Sequence, residues 1–218
     1  GKGMPIEKKA LPLVCITTTA GTGSEADPWG VVTNEDTHEK IGVGGYDCLF
    51  PVLSIIDPEL MRSVPPAFTA YQGFDTLFHA AESYISSFAS IMSDMYARTA
   101  IENVGAYLAR AVADGADMEA REHMAFANTI AGIVMTVSVT TAQHSLEQAM
   151  SGYYPSLPHG AGLIMLSKAF FSFFIEKHAC DERFIQMAKA LGMRDAERPE
   201  DFIIALSKLQ ADCGVSDL

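Results

Sequence analysis

A chain of 218 residues, 49% hydrophobic and 19% charged, has room for one large domain, or for one domain and part of another, around a sizeable core. Its formal net charge of −12, with no local cluster of Lys and Arg to offset it, argues against a nucleic-acid partner, whose phosphates such a surface repels. Four scattered cysteines, Cys15, Cys48, Cys180 and Cys213, lack C-x-x-C spacing, which argues against a zinc ribbon or a disulfide framework and fits a reducing, cytoplasmic setting.

Taken in chain order, Gly1–Ala10 carries Lys2, Lys8 and Lys9, but the apolar run after it, Leu11 to Ile16, is too short for a signal peptide. Leu13 to Ile16 reads as a short strand, and Thr17 to Glu25 as a loop rich in Thr and Gly. Val31–Thr33 and Ile41–Val43 look like the two strands of a hairpin with a long polar connection, Asn34 to Lys40. Leu53 to Ile56 is a fourth strand candidate, ended by Asp57-Pro58. After Pro65-Pro66 the period changes: apolar residues at 67, 70, 71, 74, 77, 78, 81, 84 and 85 form the stripe of an amphipathic helix. Six more helices are expected near 91–113, 117–135, 140–150, 160–175, 181–192 and 198–212. The apolar stretch Ala161 to Phe174 is broken by Lys168 and is too short for a bilayer, so no membrane partner is expected. Strands followed by seven helices imply the end of an α/β domain (1–60) feeding a helical domain (61–218). Four short strands without intervening helices make a poor sheet alone, so the sequence reads as cut, with its strand partners elsewhere.

Chemistry gathers in the helical part. Asp75 and His79 are four residues apart and share a helix face, where a carboxylate and an imidazole can hold one cation. His144 lies within a predicted helix, and His159 stands between Pro158 and Gly160 at the start of the next. Three imidazoles and one carboxylate suit Fe(II) or Zn(II), with positions open for substrate. By contrast, His38, His123 and His178 sit among charges, as solvated histidines do. On the residues alone, three buried histidines hydrogen-bonded to backbone fit equally well.

These residues resemble a known family, the iron-containing (group III) alcohol dehydrogenases, over essentially the whole chain. Thr18-Thr19-Ala20-Gly21-Thr22-Gly23-Ser24-Glu25 is similar to the family's nucleotide-side loop, and Asp57-Pro58-Glu59-Leu60 with Pro65-Pro66 to its link into the helical domain. Gly73 to Glu82 resembles its first metal motif, and His144 onward with Pro158-His159-Gly160 its second. The resemblance implies a dehydroquinate synthase-like fold: a helical metal-binding domain preceded by a short β-rich remnant of a nucleotide-binding α/β domain. It implies reversible hydride transfer between a primary alcohol or diol and NAD or NADP, with Asp75, His79, His144 and His159 as metal ligands. Thr18, Thr19 and Thr22 would lie along the cofactor, although the loop alone reads as an ordinary turn. Lys40 falls where the family places a lysine near the cofactor, and a solvated hairpin lysine is the competing reading. A small alcohol or aldehyde as substrate and a homo-oligomeric assembly are expected.

Two departures stand out. The family's Gly-Gly-Gly-Ser pyrophosphate turn is absent from these 218 residues, so the chain alone is expected to bind NAD(P) weakly and to turn over slowly. Many members carry a histidine four residues after the third ligand; here that position is Gln148, which can hydrogen-bond but cannot shuttle a proton, and is taken as a pocket residue. The zinc-dependent glycerol dehydrogenase and dehydroquinate synthase branch, and a non-catalytic helical metal-binding module, are the alternatives.

Overall fold

The computed structural model describes residues 6, 8 and 10–218. Lys2 and Lys9, which entered the reading of the N-terminus, lie outside the described residues. Strand β1 (Val14–Ile16) pairs in parallel with β4 (Leu53–Ile55), Val14 opposite Leu53 and Ile16 opposite Ile55. Between them runs an antiparallel hairpin of β2 (Trp29–Asn34) and β3 (Glu39–Gly44), with Val31 opposite Gly42. The hairpin differs from the sequence expectation. Its strands continue through Asn34 and Glu39, so the connection is Glu35–His38 rather than the longer polar stretch. Polar side chains there are compatible with strand because that end of the hairpin is exposed. A short helix α1 (Tyr46–Leu49) and a 3-10 turn (Pro58–Met61) flank β4.

Seven longer helices follow: α2 (Pro66–Ile85), α3 (Ile91–Ala113), α4 (Met118–Val137), α5 (Ala142–Tyr153), α6 (His159–Glu176), α7 (Asp181–Ala190) and α8 (Asp201–Asp212). Their starts follow from local chemistry. Pro66 opens α2, where its missing N–H costs nothing. Ser90 and Ser93 form a capping box on α3, and Asp117 accepts from the Ala120 N–H at the start of α4. No single helix among the described residues is long and apolar enough to cross a membrane.

Helix α2 is the axis of the domain. The apolar stripe packs as its period demands, with Phe74, Leu77 and Phe78 fully buried. The opposite face is also covered: Asp75, Thr76, His79, Glu82 and Ser83 are buried beneath α4, α5 and the Thr17–Glu25 loop. A second buried face made of polar groups must find partners for them, and those partners build the site described next. On the apolar side Phe78, Phe171, Phe184 and Phe202 interlock from α2, α6, α7 and α8.

Candidate metal centre

Three helices bring the four sequence-predicted ligands together around one carboxylate, Asp75. Asp75 and His79 come from α2, His144 from the first turn of α5, and His159 from the first residue of α6. The Nε2 atoms of His79, His144 and His159 stand 3.5, 3.3 and 3.6 Å from Asp75 Oδ1. Ligand atoms of Asp75, His79 and His144 all lie within 4.8 Å of one another. Gly160 lets the start of α6 reach α2, since a Cβ there would stand 2.1 Å from the Tyr71 carbonyl oxygen. Pro158, extended at φ −62°, sets the chain direction into His159.

What turns the three Nε2 atoms inward is the partner of each Nδ1. His144 Nδ1–H donates to Glu82 Oε1, His159 Nδ1–H to Glu147 Oε2, and His79 Nδ1–H to the Gly21 carbonyl at 3.2 Å. Each bond holds a proton on Nδ1 and turns Nε2 toward Asp75, the atom that would meet a cation. Glu82 has a second task. Its Oε2 accepts from the Thr141 N–H (2.7 Å), the Thr141 hydroxyl (2.8 Å) and the Gln143 N–H (3.2 Å). A carboxylate on α2 thus caps the N-terminus of α5, where the helix dipole favours negative charge.

Burial dominates the electrostatics and is offset unevenly. It pushes His79 down to about 4, against the pull of Asp75. It would lower His144 too, but the charge of Glu82 and the bonds to Asp75 and Glu82 raise that imidazole to about 10. Burial raises Asp75, yet His79, His144 and His159 outweigh it and hold the carboxyl below its ordinary range. A buried carboxylate with three imidazoles whose Nε2 atoms converge on it fits a divalent cation of borderline softness, which would displace the Nε2 proton that His144 shares with Asp75.

The cluster lies at the edge of a cavity of about 500 Å³. His159 is the ligand most open to it, its side chain one-third exposed. Thr22, Lys40 and Gln148 line this cavity, and Lys40 Nζ donates to Ser151 Oγ at 2.8 Å. Thr18 and Thr19 do not: both are exposed and outside the lining, because the loop leaves β1 along the surface and meets the cavity only from Thr22 onward. Of the three histidines read as solvated, His38 and His178 are exposed, whereas His123 is half-buried. It stacks on Tyr107 at 3.8 Å and bonds to Asn103, both one helix away on α3 and invisible to a reading of its charged neighbours.

A family model for the C-terminal part of the Fe-containing alcohol dehydrogenases matches residues 69–217, and one for iron-containing alcohol dehydrogenase matches residues 1–58. This chain belongs to the iron-containing alcohol dehydrogenase family. It is 39% identical over 189 residues to a choline dehydrogenase of Bacillus subtilis, covering 87% of this chain and 46% of that protein. It is 33% identical to an NAD-dependent methanol dehydrogenase of Bacillus methanolicus, covering 96% of this chain and 55% of that one. Among solved structures, an archaeal halo-thermophilic alcohol dehydrogenase from a Red Sea brine pool superposes with a TM-score of 0.93 at 35% identity, over 98% of this chain and 55% of that one. An alcohol dehydrogenase from Oenococcus oeni gives 0.87 at 32% identity, over 96% and 55%. The chain therefore spans about half the length of the curated relatives it matches, and its fold is the family's helical domain with a small β-rich part. In this member of the family, Glu82 and Glu147 are the residues whose roles spacing did not announce. Glu147 is three positions after His144 yet serves His159, and Glu82 is three after His79 yet serves His144. Asp27 and Trp29, also missed, line the cavity from the start of the hairpin.

Proposed function

We propose that this chain carries the metal half of an NAD(P)-dependent dehydrogenase acting reversibly on a primary alcohol or diol. In this reading Asp75, His79, His144 and His159 hold Fe(II), and Zn(II) suits the same donors. The convergence of three imidazole Nε2 atoms on Asp75 Oδ1 at the cavity edge carries the reading. A divalent cation held there supplies Lewis acidity toward a substrate oxygen. The chain's own residues supply the surroundings. Val31, Met135 and Val139 give the cavity apolar walls that limit water around a small substrate. Lys40, fixed by Ser151, offers positive charge to an anionic cofactor group, and Thr22 a hydroxyl. Gln148 can donate or accept a hydrogen bond at the substrate but cannot relay a proton. The family membership of the chain and the alcohol and diol dehydrogenases among its relatives support the reaction class.

The test is metal content. The anaerobically purified chain, loaded with Fe(II) or Zn(II), is expected to hold close to one ion, and His144→Ala to lose it. Absence of metal from both, with the helical spectrum intact, would overturn the ligand assignment.

A further inference from the structure

The loop between β1 and β2 alternates. Gly21, Gly23 and Glu25 are buried, whereas Thr22 and Ser24 are exposed and line the cavity. The buried positions are bonded to two helices. On α2, the Ala20 N–H donates to Gln72 Oε1 (3.3 Å), and the Thr76 hydroxyl reaches the carbonyls of Ala20 (3.2 Å) and Gly21 (3.4 Å). On α4, Asn128 Oδ1 accepts from the Gly23 N–H (2.9 Å), while Asn128 Nδ2 and the Thr129 hydroxyl donate to Glu25 Oε1 (2.9 and 2.7 Å). Gly23, at φ +64°, lies directly on Gly132, where an added Cβ would stand 2.2 Å from the Gly23 carbonyl oxygen. Only a glycine pair permits so close an approach.

These anchors converge on one atom of consequence. The Gly21 carbonyl is the acceptor for His79 Nδ1–H. His144 and His159 have carboxylates in that role; His79 alone depends on a backbone oxygen whose position is set by a loop. We propose that the Ala20–Gly23 ribbon is a positioning element for His79: Asn128 and Gly132 on α4, with Thr76 on α2, hold the Gly21 carbonyl where it fixes the imidazole with Nε2 toward the metal. The proposal rests on His79 being a ligand, as argued above. One face of the ribbon then orients a metal ligand while the other borders the cavity, so residues remote from the cluster tune how tightly the metal is held.

The experiment measures Zn(II) affinity by chelator competition, together with the imidazole 15N spectrum of the Zn(II)-loaded chain. In the parent, His79 is expected as the Nδ1–H form with Nε2 on the metal. Gly132→Ala forces the ribbon off α4 and is expected to weaken Zn(II) binding about 10- to 100-fold, the usual effect of disturbing a ligand's outer partner, and to shift the His79 signals. Thr76→Val should act in the same direction, and Thr76→Ser, which keeps the hydroxyl, should bind as the parent does. If Gly132→Ala fails to fold, the Thr76 pair decides. Folded variants with parental affinity would overturn the proposal, and so would weakened affinity with unmoved His79 signals, which would mark the loop as packing only. A parent that takes up no Zn(II) would sink the functional reading first and this one with it.

Discussion

Glu82 and Glu147 both hold an imidazole, but their surroundings predict different responses to loss of charge. Every oxygen of Glu82 accepts: Oε1 from His144, Oε2 from two N–H groups and a hydroxyl. In Glu82→Gln the amide NH2 must face an N–H donor whichever way it turns, leaving buried donors unmatched. About 1–3 kcal/mol of stability should be lost, read from urea unfolding. Glu147 uses Oε2 for His159 and leaves a buried Oε1 without a partner, so Glu147→Gln can keep the Oε2 acceptor, lose the charge and exchange one unpartnered buried group for another. It should unfold like the parent and bind metal roughly tenfold more weakly, measured by chelator competition. Asp27 supplies a pH signature. Burial, opposed by the Trp29 N–H and reinforced by Glu25, raises its carboxyl from the ordinary 3.8 to about 7. Through that interval the folded chain keeps a proton that the unfolded chain has released, so stability falls as pH rises, and the full penalty stands above pH 7. Asp27→Asn keeps an acceptor for Trp29 and should gain stability over the parent across that window, level beyond it. Parallel stability–pH curves for the two proteins would refute this origin.

At the scale of elements, the metal cluster and the aromatic core lie on opposite faces of α2 and should respond separately. Phe171 of α6 packs against Phe78, Phe184 and Phe202, with ring centroids 5.9, 6.1 and 5.1 Å away. Phe171→Ala should cost about 3–5 kcal/mol through the cavity it leaves, seen as an earlier urea midpoint. Metal content of the folded variant should match the parent, because the rings it packs against, Phe78, Phe170, Phe184 and Phe202, belong neither to the ligands nor to their Nδ1 acceptors. The helices themselves were legible: a 3.6-residue period and the Pro65-Pro66 start act within one or two turns, and α3 runs over the expected 91–113. The hairpin was less so, since strand ends depend on the partner strand and the polar residues at its tip carry no period.

For the molecule as a whole, the telling surface is the β1–β4 pair. Parallel strands are ordinarily covered on both faces, yet Val14, Ile16, Leu53 and Ile55 are all at least 43% exposed. With relatives about twice as long, we propose that a further part of an α/β domain covers this surface. The 218-residue polypeptide alone is therefore expected to bind metal but to show little NAD(P)-linked oxidation of a primary alcohol, followed by NAD(P)H absorbance. Turnover at a rate typical of dehydrogenases from the purified chain would refute this.

The sequence by itself determined the order of the helices, with ends off by up to three residues, because their period is local, and the order of its motifs carried the family and with it the candidate ligand set. Tertiary structure decided what orients those ligands. The acceptors of His79, His144 and His159 are Gly21, Glu82 and Glu147, and two of the three are some sixty positions away in the chain. No helical or strand period encodes such pairings; they exist because the polar face of α2 is buried, and buried polar groups must find partners wherever packing brings them.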